Sequence, residues 1–299
     1  MSSDLLVARN NALNVNPNMV NGKSVDIAIT THGSSFYYAI CAIMGTVAFG
    51  VIGLSYLKPR EDRIFFYITA AINFTACIAY FTMGSNLGWT PIDVEWLRPR
   101  GSEVFGINRE IFYVRYVDWF VTTPLLLMDL LLTAAMPWPT ITWIIFLDWV
   151  MIVTGLVGAL VKSRYKFGFF AAGCVAMFGI FWELAFASRK QAKALGSDVN
   201  RVFVSCGVLT LFIWCLYPIA WGVCEGGNLI TPDSEAVFYG VLDFIAKPVF
   251  SIALIFGHWN ISPARLGLQI KYGHPTGHAH DHNIEKDRQG DGQTSGAQA

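Results

Sequence analysis

Asp243 and Lys247 stand four residues apart in an otherwise apolar stretch, YGVLDFIAKPVF, Tyr239 to Phe250. In a helix that spacing returns to nearly the same face one turn on, so carboxylate and amine lie side by side. A buried ion pair with a purely structural role is one reading. Pro248 supports another, because a proline without an N–H frees the carbonyl of Phe244 and loosens the backbone beside the lysine. A buried amine there is a nucleophile able to condense with a carbonyl compound into a Schiff base.

A second set of charges lies in RYVDWFVTTPLLLMD, Arg115 to Asp129. Asp118 and Asp129 are 11 residues apart, about three turns, which places them on one helix face at depths differing by about 16 Å. Two carboxylates on one line suggest a proton relay. Arg115, three residues before Asp118, is on the same side, where its positive charge would stabilise the carboxylate anion. Pairing of either acid with a neighbouring helix is the plainer alternative, and it leaves the other acid and the lysine unexplained.

Further residues carry weaker signals. Asp148, Met151 and Gly155 share a helix face that suits a pocket wall or plain packing. Trp214, Tyr217, Pro218 and Trp221 form a stripe of the kind that lines cores, and the lysine favours a pocket wall. Glu225 and Glu235 flank the last loop, as solvated surface acids or as a proton-release pair. The tail HPTGHAHDH, 274 to 282, has metal-ligand residue types but reads as a disordered tract. No metal site is expected.

The elements that must hold these residues follow from composition. The 299 residues are 54% hydrophobic and 14% charged, with 22 Phe, 11 Tyr and 10 Trp. That is too apolar for an ordinary soluble domain and points to a lipid bilayer. Lys plus Arg balances Asp plus Glu at 21 each, so no basic surplus attracts nucleic acid. Seven apolar runs reach spanning length, at roughly 36–57, 64–84, 111–133, 141–161, 168–187, 202–224 and 236–258. The expected architecture is an all-α membrane protein, a bundle of seven transmembrane helices over residues 35–258 with an internal pocket. The Asn-rich segment 1–34 and the tail 259–299 lack apolar periodicity and are expected to be poorly ordered. The stretch 85–109 can hold a turn or small hairpin. Six cysteines without a C-x-x-C pair read as small buried hydrophobes. The start of the chain shows no removable signal peptide, so the first helix serves for insertion. Loop Lys and Arg number nine on one side and eight on the other, which leaves orientation open.

RYVDWFVTTPLLLMD, WCLYPIAW and VLDFIAKPVF, in this order on helices three, six and seven, resemble the microbial (type 1) rhodopsins, the bacteriorhodopsin-like proton pumps among them. PREDRIFFYITAAINFTACIAY and the proline after the lysine are similar to the fungal branch. The resemblance covers about Phe36 to His258. It implies all-trans retinal bound through Lys247 as a protonated Schiff base, Asp118 as counterion and proton acceptor, and Asp243 as second counterion. Arg115 would be the switch towards the outer side, Asp129 the cytoplasmic donor, and Glu225 with Glu235 the release acids. Tyr116, Trp119, Thr122, Asp148, Met151, Gly155, Trp214, Tyr217 and Trp221 would line the retinal pocket, with Tyr80 bonded to Asp243. The fifth helix departs from the pattern, with Phe170 where a tryptophan wall is common.

The function so implied is a light-driven outward proton pump, a transporter rather than an enzyme. Its partners are protons and the lipid bilayer; a homo-oligomer is compatible with it, and nucleic acid is not a partner. The expected location is the plasma membrane with the N-terminus outside and the tail in the cytoplasm. The alternative is a sensory photoreceptor signalling to a partner protein, whose usual mark is a non-carboxylate at the position Asp129 occupies. A seven-helix receptor without retinal is a distant third.

Overall fold

Inside lipid a single apolar run can satisfy its own backbone donors and acceptors only as a helix. The computed structural model describes residues 10–268. It contains seven helices long and apolar enough to span a membrane: α1 (Thr31–Ser55), α2 (Ile64–Gly84), α3 (Val114–Thr133), α4 (Trp138–Leu160), α5 (Lys166–Leu195), α6 (Ser197–Gly226) and α7 (Pro232–Gly257). Short connections make successive helices antiparallel neighbours, and α7 closes the bundle by packing on α1. Large apolar side chains such as Phe49, Val175 and Trp182 point outward, as a lipid-facing shell requires. Small residues permit close approach: a Cβ on Gly240 of α7 would meet the Phe36 ring of α1 at 2.5 Å.

Helix boundaries differ from the hydropathy runs for local reasons. α1 starts at Thr31 because the Thr30 side chain accepts from the His32 amide and caps the first turn. α7 starts at Pro232 behind the Thr231 cap. α3 starts at Val114 because the preceding residues are strand. Thr90–Asp93 and Asn108–Ile111 form an antiparallel hairpin, β3 and β4 when counted after a smaller pair, β1 (Met19–Val20) and β2 (Lys23–Ser24). α5 runs well past its apolar stretch to Leu195, and Gly196 alone separates it from α6, at φ 131°. A Cβ there would lie 2.4 Å from the Arg265 guanidinium, which bonds to Leu195 O and Asp198 across the junction. Three π turns interrupt the spans, at Leu184–Ser188, Gly222–Gly226 and Ile245–Val249.

Poor order does not hold for the described part of the N-terminal segment. Val25, Ile27 and Ile29 are buried, and Ile27 bridges Arg109 in parallel, so 25–29 lies beside β4 as a short added strand. Asp233 at the start of α7 accepts from both the Thr30 amide and the Thr30 hydroxyl, and Asn16 donates to Ser85 O. The segment therefore caps the end of the bundle at which α1, α3 and α7 begin, here the N-terminal face. The His-rich stretch 274–282 lies outside the described residues.

Candidate functional site

The π turn of α7 carries Lys247, whose Nζ donates to Asp118 Oδ2 at 2.6 Å and lies 3.2 Å from Asp243 Oδ1. All three are buried. The two acids are not equivalent. Asp243 also accepts from Tyr217 OH at 2.6 Å, Trp119 Nε1 at 3.3 Å and Tyr80 OH at 2.7 Å. Asp118 accepts from Lys247 alone, and its Oδ1 has no partner among the described residues. Both oxygens of Asp243 are thus occupied by donors, whereas Asp118 keeps one oxygen with acceptor capacity.

A pocket opens beside the lysine. Of the expected pocket residues Tyr116, Trp119, Thr122, Met151, Gly155, Trp214, Tyr217 and Trp221 line it, with Lys247 as its one amine. Phe170 lines it as well, stacked on Trp221 at 4.8 Å. Two expected residues stand behind the wall instead. Asp148 accepts from the Thr123 hydroxyl at 2.8 Å, and that bond turns it from the cavity into the α3–α4 contact. Tyr80 is spent on Asp243.

Between this centre and the N-terminal face lies a second ionic cluster. Arg115 donates to Glu235 Oε1 at 2.7 Å, to Glu225 Oε1 at 3.5 Å and to Tyr37 OH at 2.9 Å, and sits 4.1 Å over the Tyr239 ring. Its ion pairs go to the two carboxylates that α7 and the end of α6 offer, while it acts on Asp118 through its charge from the same helix face. Glu225 and Glu235 are thus buried partners rather than solvated acids. Tyr116 and Tyr239 hydroxyls donate to Glu225 at 3.1 and 3.0 Å. Arg109 of β4 completes the set, 2.6 Å from Glu235. Cys224 lies close enough to both glutamates to share a cation, but the two arginines already neutralise them. Arg109, Tyr37 and Tyr239 escaped sequence reasoning because an arginine in a loop and tyrosines in apolar runs carry no periodic signal.

Glu110, next to Arg109, is buried outside the spans and accepts the Ile29 amide at 2.8 Å. Burial pushes its carboxyl up to about 8, against the opposing pull of that amide. Unfolded, it would titrate near the ordinary value of about 4.3. Its contribution to stability is therefore complete below that value and declines as pH rises through about 8. The protection factor of the Ile29 amide, its exchange rate relative to the unprotected rate at the same pH, should fall between pH 5 and 9, and Glu110→Gln should flatten that fall. An unchanged pH dependence in the variant would assign it to another group.

Asp129 lies one turn before the C-terminal end of α3. Both of its carboxyl oxygens are buried without a partner among the described residues, in a core that includes Leu126, Leu127, Leu130 and Leu131. An unpaired charge in such surroundings is costly.

Residues 30–261 match the family model described as bacteriorhodopsin-like protein. The opsin-like protein carO of Fusarium fujikuroi is 64% identical over 271 residues, 91% of this chain and 88% of that protein. Among solved structures, the light-driven proton pump from Leptosphaeria maculans is similar with a TM-score of 0.74 and 31% identity, over 80% of this chain and 99% of that one. The light-driven proton pump rhodopsin of Coccomyxa subellipsoidea gives a TM-score of 0.73 and 34% identity, over 78% and 99%.

Proposed function

The chain belongs to the bacteriorhodopsin-like protein family, and from that membership and the carboxylate geometry we propose that it is a light-driven proton pump exporting protons across the plasma membrane, with its N-terminal face outside. The observation that carries the reading is the placement of two unlike acids on α3: Asp118 bonded to Lys247 with one oxygen spare, and Asp129 sealed about 16 Å away. The pocket suits retinal. Its three tryptophans and Tyr217 offer flat apolar walls and Lys247 an amine, while the uncommitted oxygen of Asp118 leaves acceptor capacity beside that amine. Bound there as a protonated Schiff base, retinal supplies absorption of visible light and an isomerisation that changes the surroundings of the Lys247 nitrogen.

The rest falls to the protein. Asp118 accepts the proton from the lysine nitrogen, since it has an uncommitted oxygen beside that nitrogen, whereas the oxygens of Asp243 already accept from Tyr80, Tyr217 and Trp119. Once Asp118 is neutral, Arg115 carries less attraction from that side, and its pairing with Glu225 and Glu235 redistributes. A proton leaves from that glutamate pair towards the N-terminal face. Asp129 then returns a proton to the lysine nitrogen from the opposite side, which sets the direction of transport.

The test is to add all-trans retinal to the expressed protein and illuminate unbuffered vesicles or cells while recording pH. External acidification of cells that a protonophore abolishes supports the pump; a coloured protein without a pH change points to the sensory alternative. Asp129→Asn sharpens it. The shape is kept and the exchangeable proton lost, so the first transfer after a flash should be untouched and the slow return of absorbance greatly retarded. Azide, a diffusible weak acid, should partly restore it. Equal return rates across pH 5 to 9 would remove Asp129 from the relay.

A further inference from the structure

Glu225 and Glu235 share one cluster but keep different company. Both oxygens of Glu235 accept from guanidinium groups, Oε1 from Arg115 at 2.7 Å and Oε2 from Arg109 at 2.6 Å. Glu225 accepts from the hydroxyls of Tyr116 at 3.1 Å and Tyr239 at 3.0 Å, one on each oxygen, with Arg115 at 3.5 Å. A protonated carboxyl donates and so needs an acceptor beside it. A guanidinium only donates, so a proton on either oxygen of Glu235 has to displace an ion pair. A tyrosine hydroxyl turns from donor to acceptor by rotation, so Glu225 can gain or lose a proton while its neighbours stay in place.

Arg109 creates this inequality. Arg115 reaches both glutamates, whereas Arg109 reaches Glu235 alone and is tied down in doing so: its Nη1 donates to Asn228 Oδ1 at 2.9 Å and to Ile230 O at 2.7 Å. It stands on β4, beside the strap at 25–29, and thus outside the spans. The other titratable groups facing the pair are the Tyr37 hydroxyl, bonded to Arg115, the Cys224 thiol, Lys166 on the backbone oxygen of Glu225, and Glu110 next to Arg109. None of these bonds to either carboxyl among the described residues.

We propose that Glu225 is the acid that carries the released proton, and that Arg109 is the positioning residue that reserves Glu235 as its ion-pair partner. On release the O–H bond of Glu225 breaks and the proton passes to water at the N-terminal face. The tyrosine that accepted from it turns back to donate, and Arg115 closes on the new carboxylate. Arg109 keeps its place. The inference rests on the reading of the glutamate pair as the release group and adds which member acts.

The full-length protein with retinal, followed after a flash by infrared difference spectroscopy and by a pH dye in the medium, tests this. Glu225→Gln should remove a glutamate carboxyl signal and delay the appearance of protons by roughly tenfold or more. Arg109→Gln gives Glu235 an amide oxygen as acceptor while Arg115 still pairs with it. A second glutamate signal should then appear, and the pH profile of release should shift. Arg109→Lys, a donor only, should keep the single signal and the unmodified profile. In the retinal-free protein, an infrared acid titration should lose one glutamate signal in Glu225→Gln and gain one in Arg109→Gln. The visible band formed on adding retinal reports that each variant is folded. Vesicles of the unmodified protein that do not move protons in light would remove the pump reading and this inference with it. Pumping vesicles in which Glu225→Gln keeps both signal and timing, or in which Arg109→Gln matches the unmodified protein in signal and pH profile, would overturn the assignment alone and leave the pump standing.

Discussion

Lys247→Ala should abolish the retinal-dependent visible band completely. Lys247 is the one amine among the cavity-lining residues. The other buried lysine, Lys166, lies at the N-terminal end of α5 with its Nζ donating to Glu225 O at 2.9 Å, and does not line the cavity. Alanine also leaves Asp118 and Asp243 buried without their cation, and breaking a buried pair in this way costs about 3 to 5 kcal/mol. A colourless variant could then be merely an unfolded one. Lys247→Ala combined with Asp118→Asn separates the two outcomes, since it removes one of the two uncompensated charges, leaving Asp243 with its Tyr80 and Tyr217 donors, and should regain thermal stability while staying colourless. Absorbance after adding all-trans retinal is the measurement, and a visible band in either protein would overturn the attachment site.

Asp118→Asn should shift the band to longer wavelength and stop transport. An anion 2.6 Å from the lysine nitrogen stabilises positive charge held there. Excitation moves that charge away along the chromophore, so the anion favours the ground state more than the excited one. Its removal narrows the gap. Asparagine preserves the shape and a hydrogen-bond acceptor but has no proton affinity near neutral pH, so the first transfer should fall by about a hundredfold or more, the usual worth of a positioned general base. Asp243 is a poor substitute, because both its oxygens already accept hydrogen bonds, from Tyr80 at 2.7 Å and Tyr217 at 2.6 Å. Unchanged colour with intact pumping would place the acceptor elsewhere.

The parts legible in the sequence were those with a cost attached to their own position. Seven apolar runs of spanning length can do little else, and Asp118, Asp129, Asp243 and Lys247 stood out because charge within such a run needs a reason. Partnerships between distant segments left no such mark. The charge of Arg115 was legible against Asp118 on its own helix, but its ion pairs with Glu225 and Glu235, over a hundred residues on, were not. Asp148 shares a face with Met151 and Gly155, yet the Thr123 hydroxyl decides which way it points. The strap at 25–29 did carry a signal, the alternation of Val25, Ile27 and Ile29, but three apolar residues among asparagines are too short a pattern to outweigh composition. Glu110 and His258 acquire their surroundings only when β4 meets the N-terminal strap and the end of α7 meets α3.

The π turn at Ile245–Val249 holds one residue more than a plain helical turn would. A surplus residue stored as a bulge lets the flanking segments keep their own docking: Asp243 stays on Tyr80 and Tyr217 before it, and Ser251 receives the Asn73 amide at 2.7 Å after it. Pro248, inside the turn, has no N–H with which to brace it. α7 is therefore two stiff rods joined by a compliant coupling, with the lysine seated in the coupling. A push on that side chain is absorbed locally instead of driving the far end of the helix like a piston. In the proposed pump, the two faces of this bundle are connected by protons handed between side chains rather than by the sliding of a helix.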